Sequence, residues 1–190
     1  QMNAFCNRKG RVISLFYARF ISNEHLLLAL PKSLFNIVIK TLRKYVLLSK
    51  VFFEENYDKY QLVYDNGKYK NDNLISRHKI IRVHEKELVS SMTFEEVQKD
   101  HICQKIPMIN IENTGLFLPA ELQLDNLGIV SYKKGCFVGQ EIIARMKYQS
   151  ILKKYLIAIR TERTLPLGKK LRNIHGKNIA DIVNQINTKF

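Results

Sequence analysis

Short apolar runs rich in β-branched and aromatic residues predict two paired strands near the start of the chain, over 11–18 and 25–30. Residues 21–24 supply the polar turn between them. After Pro31, apolar side chains recur three or four residues apart, which predicts an amphipathic helix over 32–46. The chain is therefore predicted to begin with a strand pair followed by a helix.

Strand and turn signals alternate in the middle of the chain. Apolar runs predict further strands over 50–54, 60–64 and 79–83. An Asn-Gly pair, which is a strong turn signal, opens an asparagine-rich loop over 66–73. This loop is predicted to separate the second and third of these strands.

Two more helices are predicted from start signals. Thr93 and Glu96 have the spacing of a capping box, which predicts a helix that reaches about His101. A glycine immediately before residue 140 and an apolar face beyond it predict a second helix over 140–148.

The C-terminal part carries strand and turn signals again. A strand is predicted over 154–160, with turns at 165–168 and 175–177. These elements are typical of the opening strands of a small β domain.

Short alternating units of strand and helix predict an α+β fold with a largely antiparallel sheet. We divide the chain into an α+β domain over 1–106, a proline-punctuated crossover over 107–150, and a partial β-barrel over 151–190. The first residue is a glutamine, and no signal-like apolar region follows it, so we expect the chain to begin inside a larger domain.

Composition narrows the class of protein. The 190 residues are 46% hydrophobic and 25% charged, which is typical of a soluble globular protein. No apolar run approaches the roughly eighteen residues of a membrane span, so no membrane partner is predicted. The 31 basic and 17 acidic residues give a net charge of +14. The cations are spread along the chain without regularly interleaved aromatics, which argues against direct nucleic acid binding and leaves a basic RNA-binding module as an alternative.

The cysteines and histidines give no metal-site pattern. The three cysteines, at 6, 103 and 136, form no CxxC pair, and their odd number argues against a disulfide framework. The five histidines lack the spacing of metal ligands. We therefore predict no metal site and a reducing compartment.

The most unusual chemistry lies in residues 133–145, KKGCFVGQEIIAR. Gly135 removes side-chain bulk beside Cys136, and Gly139 offers a flexible joint before the predicted helix. A nearby helix N-terminus and the adjacent lysines favour a thiolate at Cys136, which indicates a reactive or ligand-contacting sulfur. The alternative is that Cys136 is a small buried hydrophobe beside a tight turn, and residue chemistry alone favours this alternative.

Glu141 and Arg145 lie four residues apart on the predicted helix, on the face opposite Ile142, Ile143 and Met146. One interpretation is a surface ion pair, and the other is that they orient a polar ligand beside the cysteine. The spacing does not distinguish the two.

Residues 4–11, AFCNRKGR, place another cysteine beside cations and a glycine. A cationic turn that enters a strand is the favoured interpretation, and a second site is the alternative.

Three motifs resemble one family in their order along the chain. Residues 134–145 are similar to the KGC(F/Y)xGQExxAR signature of the YgfZ family, which is related to the glycine cleavage T-protein. Residues 6–11 resemble its CxxKG(R/K) motif, and residues 42–51 resemble its LxKYxxxSKV motif. The signature is specific, and the resemblance covers nearly the whole chain.

The resemblance implies a T-protein-like folate-binding fold that holds tetrahydrofolate, or a derivative, in a central channel and ends in a C-terminal β-barrel. It implies a role in assembly or maintenance of iron-sulfur enzymes and, through them, in tRNA modification. Iron-sulfur proteins or their assembly factors are the implied partners. The implied compartment is the cytoplasm of a bacterium or the mitochondrion of a eukaryote.

The resemblance also assigns residues. Cys136 and Lys134 match the functional thiol and cation, to which no catalytic step is assigned. The remaining signature positions, which would shape the cofactor site around them, are Gly135, Phe137, Gly139, Gln140, Glu141 and Arg145. A folate-facing tryptophan of the family aligns with Val97, an aliphatic residue that lacks the ring needed to stack on a pterin.

The chain also departs from the family at its ends. It lacks the stretch that precedes CxxKG, with a second folate-facing tryptophan, and it stops before a complete barrel. We therefore expect a fragment or a reduced family member. A folate-dependent aminomethyltransferase is the enzymatic alternative, because such enzymes share the fold. It ranks second, because they do not share the cysteine signature.

Overall fold

The computed structural model describes residues 2–55, 60–65, 80–85, 92–149, 151–162, 165 and 170–186. The predicted loop over 66–73 and most of the predicted turn over 165–168 lie outside these residues. In what is described, three α-helices accompany antiparallel sheets, which confirms the mixed α+β class.

The N-terminal sheet has three antiparallel strands in the order β1 (Met2–Cys6), β2 (Val12–Phe20) and β3 (Leu26–Ala29). The predicted pairing of the second and third strands is confirmed. The sequence patterns missed β1, because it is short and merges into the cationic stretch that predicted a turn. An irregularity in the register between Phe5 and Cys6 marks the point where this strand leaves the ladder.

A 3-10 turn over Lys32–Leu34 leads into α1 (Phe35–Arg43). Leu34 and Val38 are buried, as their helical spacing predicts. The helix ends before the predicted residue 46, and Tyr45 lies beyond it with 52% of its surface exposed.

A separate hairpin pairs β4 (Tyr60–Asp65) with β5 (Ile80–Glu85), which confirms both predicted strands. It is followed by α2 (Phe94–Cys103), which begins with the predicted capping box. The Glu96 backbone N–H donates to the Thr93 hydroxyl at 3.2 Å, and the Thr93 N–H donates to the Glu96 carboxylate at 2.7 Å.

Two predicted strands are wrong. Residues 50–55 and 151–161 have no regular secondary structure, although both stretches are rich in β-branched and aromatic residues. Strand propensity is realised only when a partner supplies the ladder, and the described residues supply none at either place. In the second stretch, Lys154 instead bonds to Asp181 at 2.7 Å.

The C-terminal part forms a two-stranded hairpin after α3 (Gln140–Tyr148), with β6 (Lys170–Arg172) paired to β7 (Asn178–Asp181). The turn predicted at 175–177 joins these strands, with its turn residues at 174–176. Within the described part of the chain, the strands close no barrel.

The main hydrophobic core joins the N-terminal sheet and α1 to the crossover that follows α2. Backbone hydrogen bonds continue this packing, because the Val12 N–H donates to Phe117 O and the Gly115 N–H donates to Val12 O, both at 2.8 Å. The buried residues of this core are Val12, Leu15, Leu34, Val38, Ile109, Phe117, Leu122 and Leu124.

Asn113 connects the crossover to the C-terminal segment. Its side chain is fully buried. The amide nitrogen donates to Met108 O at 3.1 Å and to Val183 O at 3.0 Å, while the amide oxygen accepts from the Asn110 N–H at 2.8 Å. All of these partners are backbone groups, so the side chain substitutes for a missing strand ladder.

Asn113→Ala should lower the free energy of unfolding by about 2–3 kcal/mol, because it leaves backbone groups without partners in a buried place. Urea unfolding measures this change. Asn126→Ala, at an exposed position, is the matched control and should stay within about 0.5 kcal/mol of the wild type. Equal effects of the two substitutions would contradict the role given to Asn113.

Candidate functional site

The signature loop, defined as residues 133–139, lies within the crossover and leads directly into α3. Lys133, Lys134, Gly135 and Cys136 are all exposed. The interpretation of Cys136 as a buried hydrophobe is therefore wrong. The two lysines before the cysteine favour exposure of this part of the loop. Burying their charges would cost more free energy than burying one thiol would contribute.

Gly139 is the residue that positions the loop. It is the N-cap of α3 and has a φ of 80°, in the left-handed region. A Cβ at this position would lie 2.6 Å from Asn7 O and 2.8 Å from the Gly10 Cα. Gly139 was predicted to be a flexible joint, and the structure instead makes it a close backbone contact that only glycine permits.

The other side of this contact is the basic turn, defined as residues 7–10. The Asn7 side-chain oxygen accepts from the Lys9 N–H at 2.9 Å and from the Arg11 N–H at 3.0 Å. The turn then enters β2, which confirms the interpretation of this stretch as a cationic turn before a strand. The structure adds what the sequence patterns did not predict, which is that the turn packs against the signature.

Gly10 extends the same contact. Its φ is 69°, and a Cβ there would lie 3.2 Å from the Ile142 Cβ and 3.3 Å from the Ile143 Cγ1. Because neither Gly139 nor Gly10 has a side chain, the backbone of the basic turn packs directly against the first turn of α3. The CxxKG-like motif and the KGC-like motif are therefore in direct contact in the structure.

Within the signature loop, Gln140 and Phe137 bond to each other. The Phe137 N–H donates to the Gln140 side-chain oxygen at 3.2 Å, and the Gln140 N–H donates to Phe137 O at 3.1 Å. The Lys134 Nζ lies 4.5 Å from the centroid of the Phe137 ring, in a cation–π contact. Gln140 thus fixes the end of the loop, and Phe137 supports the ammonium group.

Glu141 and Arg145 form an ion pair at 2.7 Å on the surface of α3, with side chains 82% and 57% exposed. This confirms the ion-pair interpretation, and such a pair contributes about 0.3–0.5 kcal/mol. On the opposite face Ile143 is buried and Ile142 and Met146 are partly buried, as predicted.

A cluster that the sequence patterns did not reveal ties the two ends of the signature together. The Tyr132 hydroxyl, just before the loop, donates to the Asp125 carboxylate at 2.9 Å, and Lys147 pairs with the same carboxylate at 3.0 Å. The ring of Tyr132 meets Tyr148 edge to face at 5.8 Å between centroids. Burial is the largest cause that raises the pKa of Tyr132, and the hydrogen bond to Asp125 raises it further. The tyrosine therefore remains a neutral donor at physiological pH.

Cys6 lies at the end of β1, directly before the basic turn, and is partly buried. Burial raises the pKa of its thiol to about 11, and the charge of Lys134 opposes this rise. Lys134 is therefore near enough to act on Cys6 as well as to lie in the loop with Cys136. Cys6 remains a protonated thiol at neutral pH.

The other predicted site positions have different surroundings. Val97 is 5% exposed on α2, so its side chain is used in packing. Gly135 has open space around it, because a Cβ there would meet no atom within 4 Å. The structure thus requires glycine at 139 but not at 135.

Two clefts are present away from the signature loop. One of about 520 Å³ lies along α1, lined by Phe35, Ile39, Arg43 and Phe53 among others. The second, of about 450 Å³, is apolar and lies between α1 and the N-terminal sheet. Neither cleft is lined by a residue of the signature loop.

The part of the chain that the structure describes adds no metal cluster and no membrane-spanning helix to the site. The described residues contain no group of three or more His, Cys, Asp or Glu side chains placed to hold a metal ion. Every helix in the described part of the chain is too short or too polar to cross a membrane.

His101 is buried on α2, and this burial lowers the pKa of its imidazole.

A comparison of the chain with models of known protein families finds no match. The resemblance to the YgfZ family is a resemblance of three sequence motifs.

Gly139→Ala should lower the free energy of unfolding by at least about 2 kcal/mol, because it adds left-handed strain and a clash with the backbone of the basic turn. Gly135→Ala is the matched control within the same loop. It should be neutral or stabilising by up to about 1 kcal/mol, since its Cβ meets open space. Chemical denaturation of both variants tests this, and a Gly139→Ala variant as stable as Gly135→Ala would refute the contact.

Cys6 should react with iodoacetamide much more slowly than Cys136. At pH 8 a thiol with a pKa of about 11 is only about one part in a thousand ionised, and its rate should rise about tenfold per pH unit up to that pKa. Mass spectrometry of the labelled chain, with Cys103→Ser to remove the other exposed thiol, measures both rates. Cys6 labelling as fast as Cys136 at pH 8 would show that the thiol is not buried.

Proposed function

We propose that this protein is a tetrahydrofolate-binding protein of the YgfZ family, with a T-protein-like fold, that supports the assembly or maintenance of iron-sulfur enzymes. The proposal includes tRNA modification as a consequence, through the iron-sulfur enzymes that carry it out. Its partners would be folate and iron-sulfur proteins or their assembly factors.

One observation carries the proposal. Two motifs separated by more than 120 residues resemble the same family, and they meet at the contact of Gly139 with Asn7 and Gly10. A chance match of two short motifs gives no reason for them to be neighbours. Their adjacency, with Cys136 and Lys134 exposed beside it, supports a common site.

The residues at this place fit a folate in character. Tetrahydrofolate combines a reduced pterin, whose pyrimidine ring is flat, and a flat benzoyl ring with glutamate carboxylates. The open space at Gly135 leaves room for a flat group to approach the backbone, and Lys134 offers a cation to a carboxylate. Val97 does not contribute in this conformation, because its side chain is buried. Folate contacts would therefore come from the signature loop and not from α2.

Cys136 is assigned the functional thiol. Its exposure leaves the sulfur accessible to a bound folate or to a partner protein. Gln140 would hold the loop through its bonds to Phe137, and the Glu141–Arg145 pair would remain a surface pair. No reaction step is assigned to these residues.

Calorimetry should detect saturable binding of tetrahydrofolate to the folded protein.

Cys136→Ala should keep the free energy of unfolding within about 0.5 kcal/mol, because the residue is exposed. The same variant should fail to restore iron-sulfur enzyme activity in cells that lack their own YgfZ protein. Cys103→Ala, which removes another exposed cysteine, is the matched control and should restore it.

Restoration of activity by Cys136→Ala would remove the thiol from the proposal. Absence of folate binding in a folded sample would remove the folate. Formation of methylenetetrahydrofolate from an aminomethylated carrier protein would favour a transferase over an accessory factor.

A further inference from the structure

The two stretches that meet at Gly139, the basic turn and the signature loop, carry four exposed cations. Arg8 and Lys9 occupy exposed positions of the basic turn, and Lys133 and Lys134 occupy exposed positions of the loop that leads to Gly139. The charge of Lys134 also acts on Cys6, directly before the basic turn, where it opposes the rise that burial causes in the pKa of the thiol. We call these four side chains the basic face.

The basic face has no acidic partner in the described part of the chain. The ion pairs found in the described residues join Arg145 to Glu141, Lys147 to Asp125, and Lys154 to Asp181. The nearest acid along the chain, Glu141, is thus already paired. Lys134 is supported by the Phe137 ring and not by a carboxylate. The positive potential of the face is therefore left for a ligand.

An anion with several charges suits this face better than one with a single charge. An exposed ammonium–carboxylate pair is worth little by itself, so appreciable affinity needs several pairs at once. Stacking of nucleic acid bases is not favoured, because the Phe137 ring already carries Lys134 on its face at 4.5 Å. A flexible chain of carboxylates carries several charges and needs no aromatic platform, so it suits this face.

We infer that the basic face binds the glutamate tail of the folate, and in particular an oligo-γ-glutamate tail with several carboxylates. The inference rests on the proposed function, because it places the tail beside the same loop. The signature loop would contact the folate, and Arg8, Lys9 and Lys133 would select for tail length.

The test compares tetrahydrofolate carrying one glutamate with tetrahydrofolate carrying five, by calorimetry on the full chain at low and high salt. The wild type should bind the longer form about tenfold more tightly at low salt, and the advantage should shrink as salt screens the charges. The double variant Lys9→Gln and Lys133→Gln should reduce the advantage to less than about threefold. The variant Lys40→Gln and Lys177→Gln removes the same charge from exposed positions outside the three family motifs and should keep it.

A free penta-γ-glutamate peptide separates the inference from the proposed function. Binding of the peptide by the wild type but not by the Lys9 and Lys133 variant supports the basic face even if no folate binds. Binding of both folates with equal affinity overturns the inference and leaves the proposed function standing. Loss of single-stranded RNA binding in the same variant, with an unchanged preference for the longer tail, also overturns it.

Discussion

The close approach of Gly139 to the backbone of Asn7 and Gly10 is the contact on which the candidate site depends. Any larger residue at 139 would push the signature loop away from the basic turn. The contact joins the end of β1 to the start of α3 across most of the length of the chain. Without it, Cys6, the basic turn and Cys136 would have no fixed relation to one another.

The same contact determines the electrostatics of the site. The two stretches that it joins carry two lysines and two further cations, all of them exposed, so the positive charge of both stretches is available to an anion. The neutral groups nearby are consistent with this arrangement, since burial keeps Cys6 protonated and Tyr132 is held as a donor by Asp125. The charge at the site therefore comes from side chains in solvent, where a ligand can reach them.

Local signals predicted the elements whose stabilising interactions are themselves local. The capping box of α2 and the Glu141–Arg145 pair involve residues three or four positions apart, so their spacing is visible in the sequence. The apolar runs that predicted β2 and β3 were also sufficient, because a short turn joins them.

Features that depend on distant partners could not be predicted in the same way. The stretches 50–54 and 154–160 have strand-forming residues but no ladder partner in the described structure. Asn113 and Tyr132 act through groups on other segments, and the exposure of Cys136 depends on what packs over the loop. The contact of the two motifs is of this kind too, because no local pattern indicates which turn a glycine will meet.

The most direct test of a folate site at this contact is a titration of the isotope-labelled protein with tetrahydrofolate, followed by amide NMR. We expect saturable shifts at Gly10, Gly135, Cys136 and Gly139, where the two motifs meet. Shifts confined to Phe16 and Leu28, which line the apolar cleft between α1 and the sheet, would contradict it.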